Sequence, residues 1–177
     1  MEISMTNLES QVNNPPLGKI LFTENLTRKF LIILGLIFFL YYAIYIHQAK
    51  PNLTEIKVNN NIIYAQIADS ENERSLGLSY TKKLEDNAGM LFVFENVSVK
   101  NFWMRDMNYN LDIIWIDENK NVLGFTENAD KESYLPARPN DSRIYKSPEN
   151  TKYVLETNIG TIQKMKIKAG DILDFKY

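Results

Sequence analysis

The stretch of sequence that decides the fold runs from Gly89 to Asp117 and reads GMLFVFENVSVKNFWMRDMNYNLDIIWID. It contains three apolar, aromatic-rich segments separated by short polar breaks. Short apolar segments between turn signals are typical of buried β-strands. We therefore predict that this stretch forms the centre of the core. The polar residues within it, Arg105, Asp106 and Asp112, are its best indication of function.

The sequence on both sides of this centre predicts further short strands. Residues 53–58 and 62–68 flank three consecutive asparagines, which tolerate left-handed backbone, so they predict a β-hairpin. Downstream, strands are predicted at residues 122–126, 152–156 and 172–175. Many short strands separated by turn signals predict an all-β domain, mainly an antiparallel β sandwich or barrel with one or two short helices.

Two segments of this domain carry signals other than strand patterns. Ser70 and Glu73 have the spacing of a capping box and predict a short helix that ends at Gly77. The polar stretch at residues 128–150 is rich in proline and asparagine and is longer than a simple connection. Such a length predicts a lid or a binding loop.

An uncharged apolar segment precedes the predicted β domain, beginning at Phe30 and ending at Ile46. At about 1.5 Å per residue, a helix of this length covers roughly 25 Å, which is just enough to cross a bilayer. Tyr41, Tyr42 and Tyr45 cluster near its far end, where tyrosine rings favour the lipid headgroups. We therefore predict a single transmembrane helix whose partner is the lipid bilayer, rather than a helix buried in a soluble core.

A cleavable signal peptide is the main alternative for this segment. Its basic flank would be unusually far from the N-terminus, and no small-x-small triplet follows the apolar residues, so an uncleaved anchor is favoured. Arg28 and Lys29 on one side outnumber Lys50 on the other, which places the N-terminus in the cytoplasm. The predicted parts are a flexible cytoplasmic tail, a transmembrane anchor and an extracytoplasmic or periplasmic β domain, at residues 1–27, 28–50 and 51–177.

The composition narrows the possible functions. Twenty basic and 22 acidic residues give a net charge of −2, so no long-range field favours nucleic acid as a partner. The absence of cysteine excludes disulfides, thiolate catalysis and cysteine-ligated metals, and the only histidine, His47, lies beside the predicted membrane segment. Phosphate-cradling loops and nucleophile elbows are also missing. We predict no cofactor and no metal.

Two carboxylates interrupt otherwise apolar strands. Asp112 follows Leu111 in a predicted strand whose other residues are all apolar. Alternation there places Leu111, Ile113 and Trp115 on the face opposite Asp112, Ile114 and Ile116. Glu156 ends the segment KYVLE. Asp112 could be a structural residue paired with Arg74, Arg105 or the Trp103 indole, because a buried carboxylate needs a partner. Alternatively, Asp112 and Glu156 could share a polar pocket as general acid and base, or hold a hard cation.

Three other side chains are candidates for binding. Strand alternation places Trp103 and Arg105 on the face opposite Phe102 and Met104. Aromatic residues of this kind usually belong to the core, but an exposed Trp103 beside Arg105 would suit a partner. Arg74 could bind an anion or a carboxylate through its planar fork, or form an ordinary ion pair.

Taken together, the motifs of this sequence resemble the domain-of-unknown-function family 192, over about residues 53–177. The resemblance implies a compact, sandwich-like all-β domain, often exported or membrane-tethered, with no established reaction. The polar residues at matching positions are Arg74, Asp112 and Glu156, with Trp103 beside them. The sequence has Thr81 where an arginine is common. The matching motifs occur, in order, at Arg74, Gly77, Leu78, Leu84, residues 89–94, residues 102–105, residues 111–113, residues 116–117, residues 153–156, Gly160 and residues 170–171.

These observations predict a membrane-anchored protein of the cell envelope whose β domain is a small binding or accessory module. Its ligand, an unknown envelope molecule or protein, would bind a polar site formed by five residues: Arg74, Trp103, Arg105, Asp112 and Glu156. The first alternative is an envelope hydrolase or metal-assisted enzyme that uses Asp112 and Glu156. The second is a purely structural domain.

Overall fold

The structure is a computed structural model that describes residues 17–48 and 53–177. The chain divides into two compact units, Met1–Lys50 and Pro51–Tyr177. The predicted tail up to residue 16 and the link at residues 49–52 lie outside the described residues.

The first unit contains one long helix, α1, at Leu17–Gln48. Its described side chains, at residues 25–44, are all exposed, and the helix is long and apolar enough to cross a membrane. One such helix near the N-terminus has the length and composition of a membrane anchor or a signal sequence. The predicted flexible tail through Thr27 is wrong from Leu17 onward. Residues 17–27 extend the same helix, because propagation adds a hydrogen bond per residue without a new nucleus.

The second unit is built on a six-stranded sheet with strand order β1-β2-β3-β8-β5-β6. A small second sheet pairs β4 with β7. The strands are β1 Leu53–Val58, β2 Asn61–Ala68, β3 Ala88–Val93, β4 Asn101–Phe102, β5 Leu111–Ile116, β6 Val122–Ala129, β7 Tyr145–Lys146 and β8 Tyr153–Asn158. The helices are α2 Glu71–Leu76 and α3 Thr161–Met165, with 3-10 turns at Lys131–Ser133 and Pro139–Asp141.

The sheet is mixed, so the expectation of a mainly antiparallel sandwich needs correction. The neighbouring strands β2 and β3 are parallel, whereas the other pairs are antiparallel. The chain between β2 and β3 contains α2. Parallel strands need such a crossover, because the chain has to return to the starting end of the sheet before the second strand begins. The mostly β content and the few short helices agree with the prediction.

The C-terminal segment joins the two edges of this sheet. Lys57 of β1 exchanges backbone hydrogen bonds of 2.8 and 2.9 Å with Asp174, and Asn121, beside β6, forms a bridge with Ile172. One short segment can reach both edge strands only if the sheet curls towards itself. Each edge is thus bonded to the C-terminal segment at one point, and the predicted strand at residues 172–175 is reduced to isolated bridges.

The sheet has an apolar core on each face. Alternation in β5 sends Ile114 and Ile116 to the first core and Ile113 and Trp115 to the second, as predicted. The first core also contains α3 and the C-terminal residues Leu173 and Phe175, with other members at Ile56, Val58, Ile63, Ala65, Leu91, Val93, Val122, Tyr153, Leu155, Ile162, Met165 and Ile167. The second core contains Ala68, Leu78, Met90, Phe92, Phe102, Met104, Leu111, Ile113, Trp115, Ala129, Tyr145 and Val154.

Two loops cover the second core. The segment predicted as a strand at residues 99–104 forms only β4, but its alternation is correct, since Phe102 and Met104 are buried and Trp103 is exposed. The long loop at residues 128–150 packs Tyr145 into the second core, and the hydroxyl of Tyr145 accepts a 2.8 Å hydrogen bond from the amide of Asp130. Tyr145 thus attaches this loop to the second core, which the loop covers.

Candidate functional site

Four of the five predicted site residues line one pocket of about 250 Å³, which we call the Glu156 pocket. These are Arg74, Trp103, Arg105 and Glu156. The pocket lies between α2 with the turn that follows it, the second-core face of β3 and β8, and the segment at residues 101–107. Asp112 is not part of it, and neither is any residue of the described loop at residues 128–150.

The helix α2 forms one wall of the pocket, and its ends are fixed by local hydrogen bonds. The Ser70 hydroxyl accepts from the amide of Glu73, while a Glu73 carboxylate oxygen accepts from the amide of Ser70 at 3.0 Å, so the predicted capping box is confirmed. The bonds from Ser70 lower the pKa of Glu73. Gly77 ends the helix, as predicted, with a φ of 52° that favours glycine. A Cβ there would lie 3.3 Å from the Phe92 ring.

Arg74 points from α2 towards the end of β3. Its Nη1 donates a 2.9 Å hydrogen bond to the carbonyl of Val93 and another to the carbonyl of Asp69, and its guanidinium lies 5.4 Å from the centroid of the Phe94 ring. No carboxylate of the described residues forms an ion pair with it. The guanidinium is therefore oriented by neutral groups, and its charge remains available to a bound anion.

Trp103 and Arg105 lie together at the mouth of the pocket. Trp103 is 44% exposed, and the guanidinium of Arg105 lies 5.8 Å from its ring centroid. Arg105 donates a 3.2 Å hydrogen bond to the carbonyl of Ser75 and is 3.8 Å from the carboxylate of Asp106. The pocket therefore has a second guanidinium, although the arginine expected near Thr81 from the family resemblance is absent.

Glu156 lies at the floor of the pocket. It is only 5% exposed, and it sits in β8 opposite Met90 of β3 and Ile113 of β5. Its carboxyl group has no hydrogen-bond partner among the described residues. Since no fully enclosed polar side-chain atom in this part of the chain lacks a partner, the carboxyl oxygens must reach the open space of the pocket. Burial raises the pKa of Glu156 to about 8, so the group is mostly protonated at neutral pH.

Asp112 is buried on the other face of the sheet, so its predicted partnership with Glu156 is wrong. One carboxylate oxygen accepts a 3.0 Å hydrogen bond from the amide of Asn128, and the other accepts a 3.1 Å bond from the amide of Ile162. These bonds fix the end of β6 and the start of α3. The prediction of a structural Asp112 agrees with this geometry, but its partners are backbone amides rather than Arg74, Arg105 or Trp103.

The pocket is shaped by aromatic residues that the sequence does not single out as site residues. Phe92 and Phe102 meet edge to face with ring centroids 4.9 Å apart. The Phe94 ring contacts two cations, since the ammonium of Lys100 is 4.3 Å and the guanidinium of Arg74 is 5.4 Å from its centroid. Burial, Lys152 and Arg74 lower the pKa of Lys100. The phenylalanines that follow Gly89 lie in an apolar segment that predicts core residues. No local sequence pattern distinguishes an aromatic residue in a pocket wall from one in the core.

The described residues contain no group of three or more histidine, cysteine, aspartate or glutamate side chains placed to hold a metal ion. In the Glu156 pocket the only other carboxylate is that of Glu71, on the exposed side of α2. The donor set of the pocket is thus two guanidiniums, a buried carboxyl group and aromatic walls, which suits an organic molecule better than a bare cation.

Comparisons with known proteins place the β domain among relatives without an assigned activity. The chain is 26% identical to a UPF0127 protein of Thermococcus gammatolerans over 117 residues, which cover 63% of this chain and 66% of that protein. It is 28% identical to a UPF0127 protein of Pyrococcus furiosus over 118 residues, covering 64% of this chain and 87% of that protein. The chain thus spans just under two thirds of the first relative and most of the second.

Solved structures share the fold. A protein of unknown function from Novosphingobium aromaticivorans is similar with a TM-score of 0.59 and 26% identity, over 69% of this chain and 83% of that chain. A candidate transcription regulator from Sinorhizobium meliloti is similar with a TM-score of 0.60 and 25% identity, over 70% and 92% of the two chains. Residues 54–175 match the DUF192 family, described as Uncharacterized ACR. This protein therefore belongs to the DUF192 family, as the motifs of its sequence suggested.

Proposed function

We propose that the β domain is a binding module and that the Glu156 pocket is its ligand site. The observation that carries this proposal is the carboxyl group of Glu156, a residue that is only 5% exposed: the group has no partner among the described residues and reaches the pocket. Buried polar groups in native proteins are nearly always hydrogen-bonded, and the exceptions often have a functional role. A ligand that fills the pocket would supply the missing partner.

The cost of leaving Glu156 unpartnered argues against a purely structural domain. Placing a carboxyl group in the largely buried position 156 of β8 removes most of its water, and an apolar residue there would avoid that cost. Its neighbours in the second core, Met90 and Ile113, are apolar. The fold itself therefore has no evident need of a carboxyl group here.

The separation of the two carboxylates weighs against the two-carboxylate enzyme. General acid and base catalysis by Asp112 and Glu156 requires both groups to reach one substrate, yet they lie on opposite faces of the sheet. Asp112 already accepts two backbone hydrogen bonds. A single buried carboxyl group with two guanidiniums at the mouth is suited to holding a molecule in place.

We also propose that α1 anchors the module in a membrane with the β domain outside the cytoplasm. Every described side chain at residues 25–44 is exposed, and an apolar helix of this length needs an apolar surrounding. Arg28 and Lys29 precede the apolar residues, which favours a cytoplasmic N-terminus. Cell fractionation and protease digestion of intact spheroplasts test this part. Recovery of the full-length chain without detergent, or protection of the β domain inside sealed spheroplasts, would contradict it.

Thermal-shift screening of the full-length chain in detergent tests the ligand site. Small organic compounds that bind the pocket should raise the melting temperature of the wild-type protein and of Arg138→Gln, whose side chain lies in the loop at residues 128–150. They should fail to do so in Glu156→Leu, which fills the floor with an apolar group. Equal shifts in Glu156→Leu and wild type would contradict the proposal, because they would place binding elsewhere.

A further inference from the structure

We propose that the ligand of the Glu156 pocket is a small organic acid, with its carboxylate at Arg74 and Arg105, an apolar body along Phe92 and Phe102, and a neutral hydrogen bond near Glu156. This inference rests on the proposed function, since it concerns the same pocket.

The mouth of the pocket is where the charge of the ligand would lie. Arg74 forms no ion pair among the described residues, and Arg105 has only Asp106 at 3.8 Å. Both guanidiniums are held by carbonyl groups, Arg74 by Val93 and Arg105 by Ser75. A preorganised guanidinium loses little freedom when it binds, and its planar fork matches the two oxygens of a carboxylate.

The charges around the pocket agree with an anion. Apart from the two arginines, the ionisable groups that line it are Glu71 and Glu156. Glu71 lies on the exposed side of α2, where water and salt screen its charge. Burial keeps Glu156 neutral at neutral pH. The charge that remains in the partly buried pocket is therefore that of the two arginines, which is positive.

The floor of the pocket disfavours a cation. An ammonium group in the pocket would lie among the positive charges of Arg74 and Arg105, which line the same pocket and would repel it. A hydroxyl, carbonyl or protonated acid group can instead exchange a hydrogen bond with the neutral carboxyl group, which both donates and accepts.

The walls and the size of the pocket limit the body of the ligand. Phe92 and Phe102 provide apolar surface between the floor and the mouth, and half-exposed Trp103 adds a ring at the rim. The volume of about 250 Å³ equals roughly eight water molecules in liquid water. A short aliphatic or single-ring acid fits this space.

Isothermal titration calorimetry of the full-length chain in phosphatidylcholine nanodiscs tests the inference. The probes are 4-hydroxybutyrate, 4-hydroxybenzoate and 3-(4-hydroxyphenyl)propionate, which carry a neutral hydroxyl group at the end opposite the carboxylate. Each is compared with the matching amide and the matching ammonium compound. Empty nanodiscs correct for partitioning into lipid. We expect at least one acid to bind about tenfold more tightly than its amide and its ammonium counterpart, because a charge-assisted hydrogen bond exceeds a neutral one by that order.

Variants assign the preference to the pocket. Arg74→Gln and Arg105→Gln should each remove the preference for the acid, whereas Arg138→Gln, in an exposed ion pair with Asp141, should keep it. Unfolding midpoints equal to that of the wild type show that the arginine variants fold.

The outcomes separate this inference from the proposed function. If an amide or an ammonium compound binds as tightly as its acid and Glu156→Leu abolishes that binding, the pocket is a ligand site for another class, and the organic acid is excluded. If no probe binds at millimolar concentration, or if Glu156→Leu binds as the wild type does, both proposals are overturned.

Discussion

Asp112 and Glu156 lie on adjacent rungs of the β5–β8 ladder, yet their carboxyl groups are on opposite faces of the sheet. Asp112 pairs with Thr157, and Glu156 pairs with Ile113. Alternation along each strand then sends one carboxylate to backbone amides beside the first core and the other to the pocket beside the second. The two residues should therefore respond differently to substitution.

Asp112→Ala should destabilise the fold. It removes the acceptor of the amides of Asn128 and Ile162, and each buried donor left without a partner costs about 1–3 kcal/mol. We expect the free energy of unfolding of the full-length chain, measured by denaturant titration in detergent, to fall by about 2–5 kcal/mol. Asp141→Ala, at an exposed site, is the control and should change little. A stable Asp112→Ala variant would show that these hydrogen bonds contribute nothing.

Glu156 should make the stability of the protein depend on pH. Its pKa is about 8 in the folded chain and near 4.5 when exposed, so the folded state binds the proton more tightly between these values. The stabilisation is complete below the lower pKa and is lost as the pH rises through the upper one, at a cost on the order of several kcal/mol. We expect the unfolding free energy to decrease from pH 5 to pH 8, and Glu156→Gln to flatten this part of the curve. A wild-type curve parallel to that of Glu156→Gln would contradict the raised pKa.

Gly89→Ala should disturb the contact between β3 and β8. A Cβ at this position would lie 2.7 Å from the backbone oxygen of Glu156, closer than any packed side chain allows. Because backbone must move, we expect a loss of about 1–3 kcal/mol in unfolding free energy. Gly124→Ala is the matched control in β6, since its nearest neighbour would be 3.9 Å away. Equal stability of the two variants would show that β8 shifts without cost.

Ser70→Ala should weaken α2 and, through it, the placement of Arg74. Loss of the capping hydroxyl exposes the amide of Glu73 and typically costs about 1 kcal/mol. Asn72→Ala, within the same helix, keeps the cap and should be neutral or slightly stabilising, because alanine is the better helix former. Chemical denaturation of both variants measures the difference. A Ser70→Ala variant as stable as Asn72→Ala would contradict the role of the cap.

The parts of the fold that the sequence predicted depend on local signals. The capping box of Ser70 and Glu73, the asparagine turn at residues 59–61 and the alternation in β5 each involve residues close along the chain. The pairing of β2 with β3 is different, because both strands have apolar patterns that do not specify a neighbour. Its parallel direction follows from where the chain goes after α2, which no local pattern encodes.

The candidate site shows the same division. Four residues that the sequence singles out, Arg74, Trp103, Arg105 and Glu156, meet in the pocket. Asp112 broke the pattern for another reason: its hydrogen-bond donors are amides 16 and 50 residues away in the chain. Backbone donors are the same for every sequence, so a residue that binds them cannot be distinguished from a site residue by composition.

The bridges made by Ile172 and Asp174 can form only late in the synthesis of this protein. The first strand of the sheet leaves the ribosome long before the segment that joins it to β6, so during synthesis the sheet has two open edges. The contact between Lys57 and Asp174 spans nearly the whole β domain, and such distant contacts form slowly. The edges of the nascent sheet therefore lack these bonds until residues 172–174 have left the ribosome, and any chaperone that protects the edges has to act in that interval.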